Sequence, residues 1–167
     1  MKFLDELSPL KVLFETLPQV GHVEWIGVRP GRGEVMVVLE EVEVDLDVGL
    51  VGDRFKGRPG SARQVTLIQR EHLSVIASVL DRPDIDLSLL RRNIVVSGIN
   101  LLALKDKHFR IGSAVLNFTG LCQPCSKMEQ ELGPGGYNAM RGHGGITASV
   151  VQAGVIRVGD KVFYGSK

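Results

Sequence analysis

Phe109-Arg110-Ile111-Gly112-Ser113-Ala114-Val115-Leu116-Asn117-Phe118 decides the fold. Two runs of alternating or apolar residues flank Gly112-Ser113, a pair suited to a tight hairpin turn. The same reading extends upstream. Glu41-Val42-Glu43-Val44-Asp45-Leu46-Asp47-Val48 alternates strictly, which predicts a half-buried strand with its acids facing water. Val23–Val28, Glu34–Leu39, Gln64–Ile68 and Asn93–Val96 read as further strands, as do Ile146–Gln152, Val155–Val158 and Lys161–Tyr164. Helical spacing is confined to residues 3–17, Arg70–Leu80, a short segment Asp86–Arg92, and Pro124–Leu132. Strands and helices do not alternate in a βαβα rhythm, so a doubly wound parallel sheet is not expected. The expected fold class is all-β: a β-barrel with short inserted helices. An N-terminal helical cap is expected over 1–20 and the barrel over 21–167, as one domain.

The 167 residues include 20 Lys+Arg and 19 Asp+Glu, a formal charge of +1. That balance argues against a protein built to coat nucleic acid or anionic lipid, although a local anion site remains compatible with it. No signal-peptide core or bilayer-length apolar run is read, and a cytoplasmic protein is expected. Two Cys exclude a disulfide-rich scaffold and are too few for a four-thiolate iron–sulfur cluster.

Three stretches carry chemistry. In Cys122-Gln123-Pro124-Cys125, Pro124 is expected at the first helical position, which places Cys125 in the first turn. Unpaired N–H groups there favour a thiolate, a soft metal ligand or sulfur-carrying nucleophile. Two buried small hydrophobes, half a zinc site and a redox dithiol are the competing readings. The second stretch is Gly52 to Arg63, where glycines and Arg54, Arg58 and Arg63 suit an oxyanion, with Arg91-Arg92-Asn93 a second basic point. The third is Gly142-His143-Gly144-Gly145, a loop able to wrap a ligand, with His143 a candidate polar contact.

In this order, these features resemble the MOSC family, which takes its name from the C-terminal domain of molybdenum-cofactor sulfurase. The matching stretches are Gly49–Arg54, Arg63–Ile68, Leu90–Ile94, Cys122–Cys125 and Gly154–Asp160. Phe55 departs from the pattern, since many relatives carry His there. The resemblance implies a MOSC-type barrel that binds the molybdenum cofactor or handles sulfur destined for it. It makes Cys125 the functional thiol and metal ligand. It assigns Arg54, Arg58, Arg63, Arg92 and Asn93 to the pterin phosphate and its polar edges, with Cys122 and His143 alongside. A cofactor-bearing member could reduce N-hydroxylated substrates with electrons from a separate protein. A metal-free member would relay persulfide from a cysteine desulfurase. Pyridoxal phosphate belongs to such desulfurases and is not expected on this chain.

Overall fold

The computed structural model describes residues 8–55 and 57–165. The expected hairpin forms β7 (His108–Ile111) and β8 (Ala114–Leu121), with Ile111 opposite Ala114 across the Gly112-Ser113 turn. Its alternation is realised in burial: Phe109, Ile111, Ala114 and Leu116 point into the core, whereas His108 and Arg110 face water. β1 (Gly21–Val28), β5 (Val65–Gln69), β6 (Ile94–Ser97), β9 (Ile146–Gln152) and β11 (Lys161–Phe163) complete the wall. Strand order β11-β7-β8-β9-β5-β6-β1, with β1 pairing back onto β11, closes a seven-stranded barrel. β2 (Val37–Leu39) extends from β1. The strictly alternating segment becomes β3 (Glu41–Asp45), with Val42 and Val44 buried and Glu41 and Glu43 exposed. It joins β4 (Gly49–Leu50) and β10 (Gly154–Arg157) in a separate three-stranded sheet.

One strand pair is parallel, β5 with β6. Parallel neighbours need a crossover, and residues 70–93 supply it through α2 (Arg70–Val79) and a 3-10 turn at Leu87–Leu90. This explains why β5 and β6 are near-continuous apolar runs rather than alternating ones. Leu67, Ile94 and Val96 fill the barrel, while Ile68 and Val95 point outward under the helices. There they meet Leu73, Ile76 and Ala77 of α2. Met128 and Leu132 of α3 (Ser126–Leu132) and Ala139 and Met140 of α4 (Gly136–Met140) close this second core. Each fully buried Leu or Ile contributes about 1.5–3 kcal/mol of transfer free energy.

Two helical expectations are corrected. The helix α1 spans Pro9–Glu15, and none of its residues is buried. Residues 3–7 of the expected segment lie outside the described residues. Leu17, just beyond α1, packs against the barrel core, and Glu15 meets Lys107 and the Tyr164 hydroxyl. The stretch 133–145, outside the segments to which helical spacing was confined, contains α4. Glu129 holds the α3–α4 corner by accepting from Gly135 N at 2.7 Å and Tyr137 N at 2.9 Å.

Candidate functional site

β1 delivers Arg29 to a barrel rim, where the chain turns through Pro30, Gly31 and Arg32. The segment after β4 is fastened alongside. Asp53 Oδ1 accepts from Arg29 N at 2.8 Å, and Arg54 N donates to Arg29 O at 2.7 Å. Beneath them, Asn93 ties three strands together. Its Oδ1 accepts from Thr66 N and Thr66 Oγ1, both at 3.1 Å, and its Nδ2 donates to Gly27 O at 3.1 Å. The result is a cleft of about 590 Å³ with Thr66 and Asn93 among its lining and Met36 and Phe55 as apolar walls.

Five arginines line this cleft, Arg29, Arg32, Arg54, Arg63 and Arg91, with Asp53 the one acidic residue in the lining. Among the described residues, none of these arginines is in an ion pair. Arg29 Nε is buried without a hydrogen-bond partner. Burial first, then the charges of Arg91 and Arg54, hold the Arg29 guanidinium below its ordinary value, with Asp53 and Glu131 opposing. Such crowding of like charge is what an anion relieves.

Arg91 and Arg92 are consecutive in the turn that precedes β6, but they take different places. Arg91 adopts a left-handed conformation (φ 58°) and lines the cleft. Arg92 is buried behind it. Its Nε donates to Gly144 O at 2.7 Å, its Nη1 to Leu90 O at 2.9 Å and its Nη2 to Cys122 O at 3.1 Å. Burial lowers the Arg92 pKa, Cys122 and Cys125 push it back up, and Arg63 and Arg91 lower it again. Arg92 therefore fastens the cysteine segment to the glycine loop, and its side chain is turned away from the cleft.

The cysteines sit on the neighbouring wall. Cys122 N donates to Gly145 O at 2.9 Å, so residues beyond β8 keep an extended course. Pro124 is buried in this segment and does not open the helix. Instead Cys125 is the N-cap residue of α3, with extended backbone, and its carbonyl accepts from Met128 N at 2.9 Å. The expectation that Cys125 lies inside the first turn is thus corrected: the helix begins at Ser126, two residues later than expected, and Cys125 stands just outside it. Both thiols are free; Cys122 is buried and Cys125 exposed. Arg63 joins the two halves of the site, because it lines the cleft and places Nη2 3.8 Å from Cys122 Sγ.

Of the residues singled out in the sequence, Arg54, Arg63 and Asn93 line the cleft. Arg58 does not; its backbone N donates to Ser61 Oγ at 2.9 Å in an exposed turn. His143 stands apart from the cleft, its ring edge-on to His72 with centroids 5.1 Å apart and its Nδ1 buried without a partner. Sequence reasoning missed Arg29 and Arg32, although Arg29-Pro30-Gly31-Arg32-Gly33 repeats the Gly/Pro/Arg signature of the loop that was recognised. It also placed weight on Arg92 where Arg91 reaches the cleft. Among the described residues, no group of three or more His, Cys, Asp or Glu side chains is placed to share a metal ion, so a zinc site built on the two thiols finds no further ligands. No helix among them is long and apolar enough to cross a membrane.

The fold is thus a closed β-barrel whose rim gathers five arginines, none in an ion pair among the described residues, with Arg63 reaching the free Cys122 thiol. The chain belongs to the MOSC domain family, whose model matches residues 52–163. Among solved structures, it is similar in fold to the YUAD protein from Bacillus subtilis, with a TM-score of 0.74 at 22% identity over 86% of this chain and 94% of that one. YiiM from Geobacillus stearothermophilus aligns with a TM-score of 0.69 at 17% identity, covering 87% of this chain and 75% of that one. YiiM from Escherichia coli aligns at 0.66 and 19% identity, covering 87% and 70%. No curated protein matches the chain in sequence.

Proposed function

We propose that this chain binds the molybdenum cofactor, with the cofactor's phosphate end in the arginine cleft and Cys125 as the thiol that ligates molybdenum or carries a persulfide. The observation that carries this reading is the gathering of five arginines, none in an ion pair among the described residues, around one cleft, with Arg63 also reaching Cys122 Sγ. The residues fit such a group. The unpartnered Arg29 Nε and the mutual repulsion of Arg29, Arg54 and Arg91 call for an oxyanion. The exposed Cys125, three residues beyond the Cys122 whose thiol Arg63 reaches, offers a soft donor. When bound, the cofactor would supply a two-electron redox centre.

The chain's own residues do the rest. Arg29, Arg54 and Arg91 bind the anionic end by charge-assisted hydrogen bonds. Asn93 and Thr66 offer polar contacts at the ends of β5 and β6. Arg92 positions the cysteine segment through Cys122 O and Gly144 O, so that Cys125 is presented from a fixed N-cap position. Reduction of an N-hydroxylated substrate would draw electrons from a separate protein, since the two cysteines cannot hold a cluster of their own. This activity and a cytoplasmic setting form part of the same reading.

A second reading, persulfide relay without bound metal, rests on the exposure of Cys125. A desulfurase's persulfide can be attacked only by a thiol it can reach. One experiment covers both. Molybdenum and cyanide-labile sulfur are measured on protein from a molybdenum-replete host, for wild type, Cys125→Ser and Cys122→Ser. Loss of loading in Cys125→Ser with most of it retained in Cys122→Ser is expected. Molybdenum identifies the cofactor protein and labile sulfur without metal the relay. Equal loss in both variants, or dependence on Cys122 alone, contradicts the assignment of Cys125.

A further inference from the structure

The cleft holds more positive charge than one phosphate can answer. Five arginines face a lone lining carboxylate, and that carboxylate, Asp53, is engaged by Arg29 N. A phosphate monoester carries about −1.5 to −2 charge and three acceptor oxygens at neutral pH. Guanidinium groups bind oxyanions in pairs of parallel hydrogen bonds, and in charge such a monoester offsets about two of them. Even with Arg63 turned toward Cys122 Sγ, three or more guanidinium groups compete for those oxygens. Arg29 adds a second, independent sign: its Nε is buried, unpartnered, and crowded by Arg54 and Arg91. The volume of about 590 Å³ leaves room beyond a single phosphate, and Phe55 and Met36 line it with apolar surface.

We propose that the cleft is a diphosphate site, in which Arg29, Arg54 and Arg91 grip two linked phosphoryl groups. This rests on the reading that the cleft holds the anionic end of the ligand. It deepens that reading by naming the ligand class as a diphosphate, either free or as the ester of a nucleoside whose base would lie against Phe55.

The test is calorimetric titration of the purified chain with pyrophosphate, inorganic phosphate, a nucleoside diphosphate and the matching nucleoside monophosphate. Pyrophosphate is expected to bind at least about tenfold more tightly than phosphate, since each additional charge-assisted hydrogen bond is worth about a factor of ten. If the nucleoside diphosphate outbinds its monophosphate by a similar factor, the ligand is the ester. If only pyrophosphate binds tightly, the source is free diphosphate. Arg29→Gln and Arg54→Gln should each weaken pyrophosphate more than phosphate, and the two variants guard against one failing to fold. Equal affinity for phosphate and pyrophosphate, or binding of neither, overturns the proposal. A chain that retains molybdenum and pterin but does not prefer pyrophosphate sinks the diphosphate site alone. A chain that prefers pyrophosphate but never carries molybdenum or labile sulfur sinks the cofactor reading alone.

Discussion

Arg92→Ala separates a latch from a ligand-binding arginine. In the folded chain the Arg92 guanidinium donates to three carbonyls, those of Gly144, Leu90 and Cys122, at 2.7, 2.9 and 3.1 Å. Truncation leaves all three without that donor in a buried setting, at about 1–3 kcal/mol each. The desolvation that lowers the Arg92 pKa is recovered on mutation, so the low end applies, for a net loss of about 3 kcal/mol. With a urea slope of about 2 kcal/mol/M, the unfolding midpoint should fall by about 1.5 M. Arg32→Ala, on an exposed cleft arginine, should stay within about 0.5 kcal/mol of wild type. Arg92→Lys should recover little, because a single ammonium cannot span three divergent carbonyls. Urea denaturation followed by circular dichroism gives the midpoints, and the alkylation rate of Cys122 in the native state reports whether its segment has loosened. An Arg92→Ala protein with an unchanged midpoint and a protected Cys122 would refute the latch. It would return Arg92 to the ligand-binding role expected from its sequence.

Two further outcomes follow from the geometry. Gly145 has φ +85°, and a Cβ there would stand 1.9 Å from Leu67 O. Gly145→Ala should therefore destabilise by more than about 2 kcal/mol, whereas Gly33→Ala, at φ +77° with nothing within 4 Å, should cost only the left-handed strain of about 1 kcal/mol; equal thermal shifts in the two variants would contradict the packing. Burial first, then His143, holds His72 below its ordinary value of 6.5, with Glu71 opposing. The unfolded chain then binds this proton more readily, so its stabilising effect is full above 6.5 and declines as pH falls toward the lower folded value. Thermal midpoints taken between about pH 7.5 and pH 5 should drop less in His72→Gln than in wild type, and equal drops would show that the histidine pair is not responsible.

How much of this was legible depended on the range of the interaction. Period-two alternation in Glu41–Val48 and around Gly112-Ser113 is a local signal; it formed β3 over Glu41–Asp45 with its glutamates exposed, residues 46–48 turning instead, and the hairpin with Ile111 opposite Ala114. Barrel closure requires β1 to meet β11 across the whole chain, and only the count of strands hinted at it. The helix α4 was hidden because Gly-rich composition reads as loop. Its support comes from Glu129 on the preceding helix, a contact that composition does not reveal. At the site, Arg54, Arg63 and Asn93 were found because they stand in recognisable loops. The segment that carries Arg29 and Arg32 is brought to them by the Asp53 side chain, which accepts from Arg29 N, and by Arg54 N, which donates to Arg29 O. The exchange of roles between Arg91 and Arg92 turns on one left-handed backbone angle, which a basic dipeptide does not disclose.

The central claim is that the arginine cleft holds the anionic end of a molybdenum cofactor. The most direct measurement is molybdenum and pterin content, determined on the same samples of wild type and of an Arg54→Gln/Arg91→Gln double variant made in a molybdenum-replete host. Stoichiometric molybdenum and pterin are expected in the wild type, and loss of both in a double variant that remains folded. Wild-type protein free of pterin, or a double variant that retains it in full, would contradict the account.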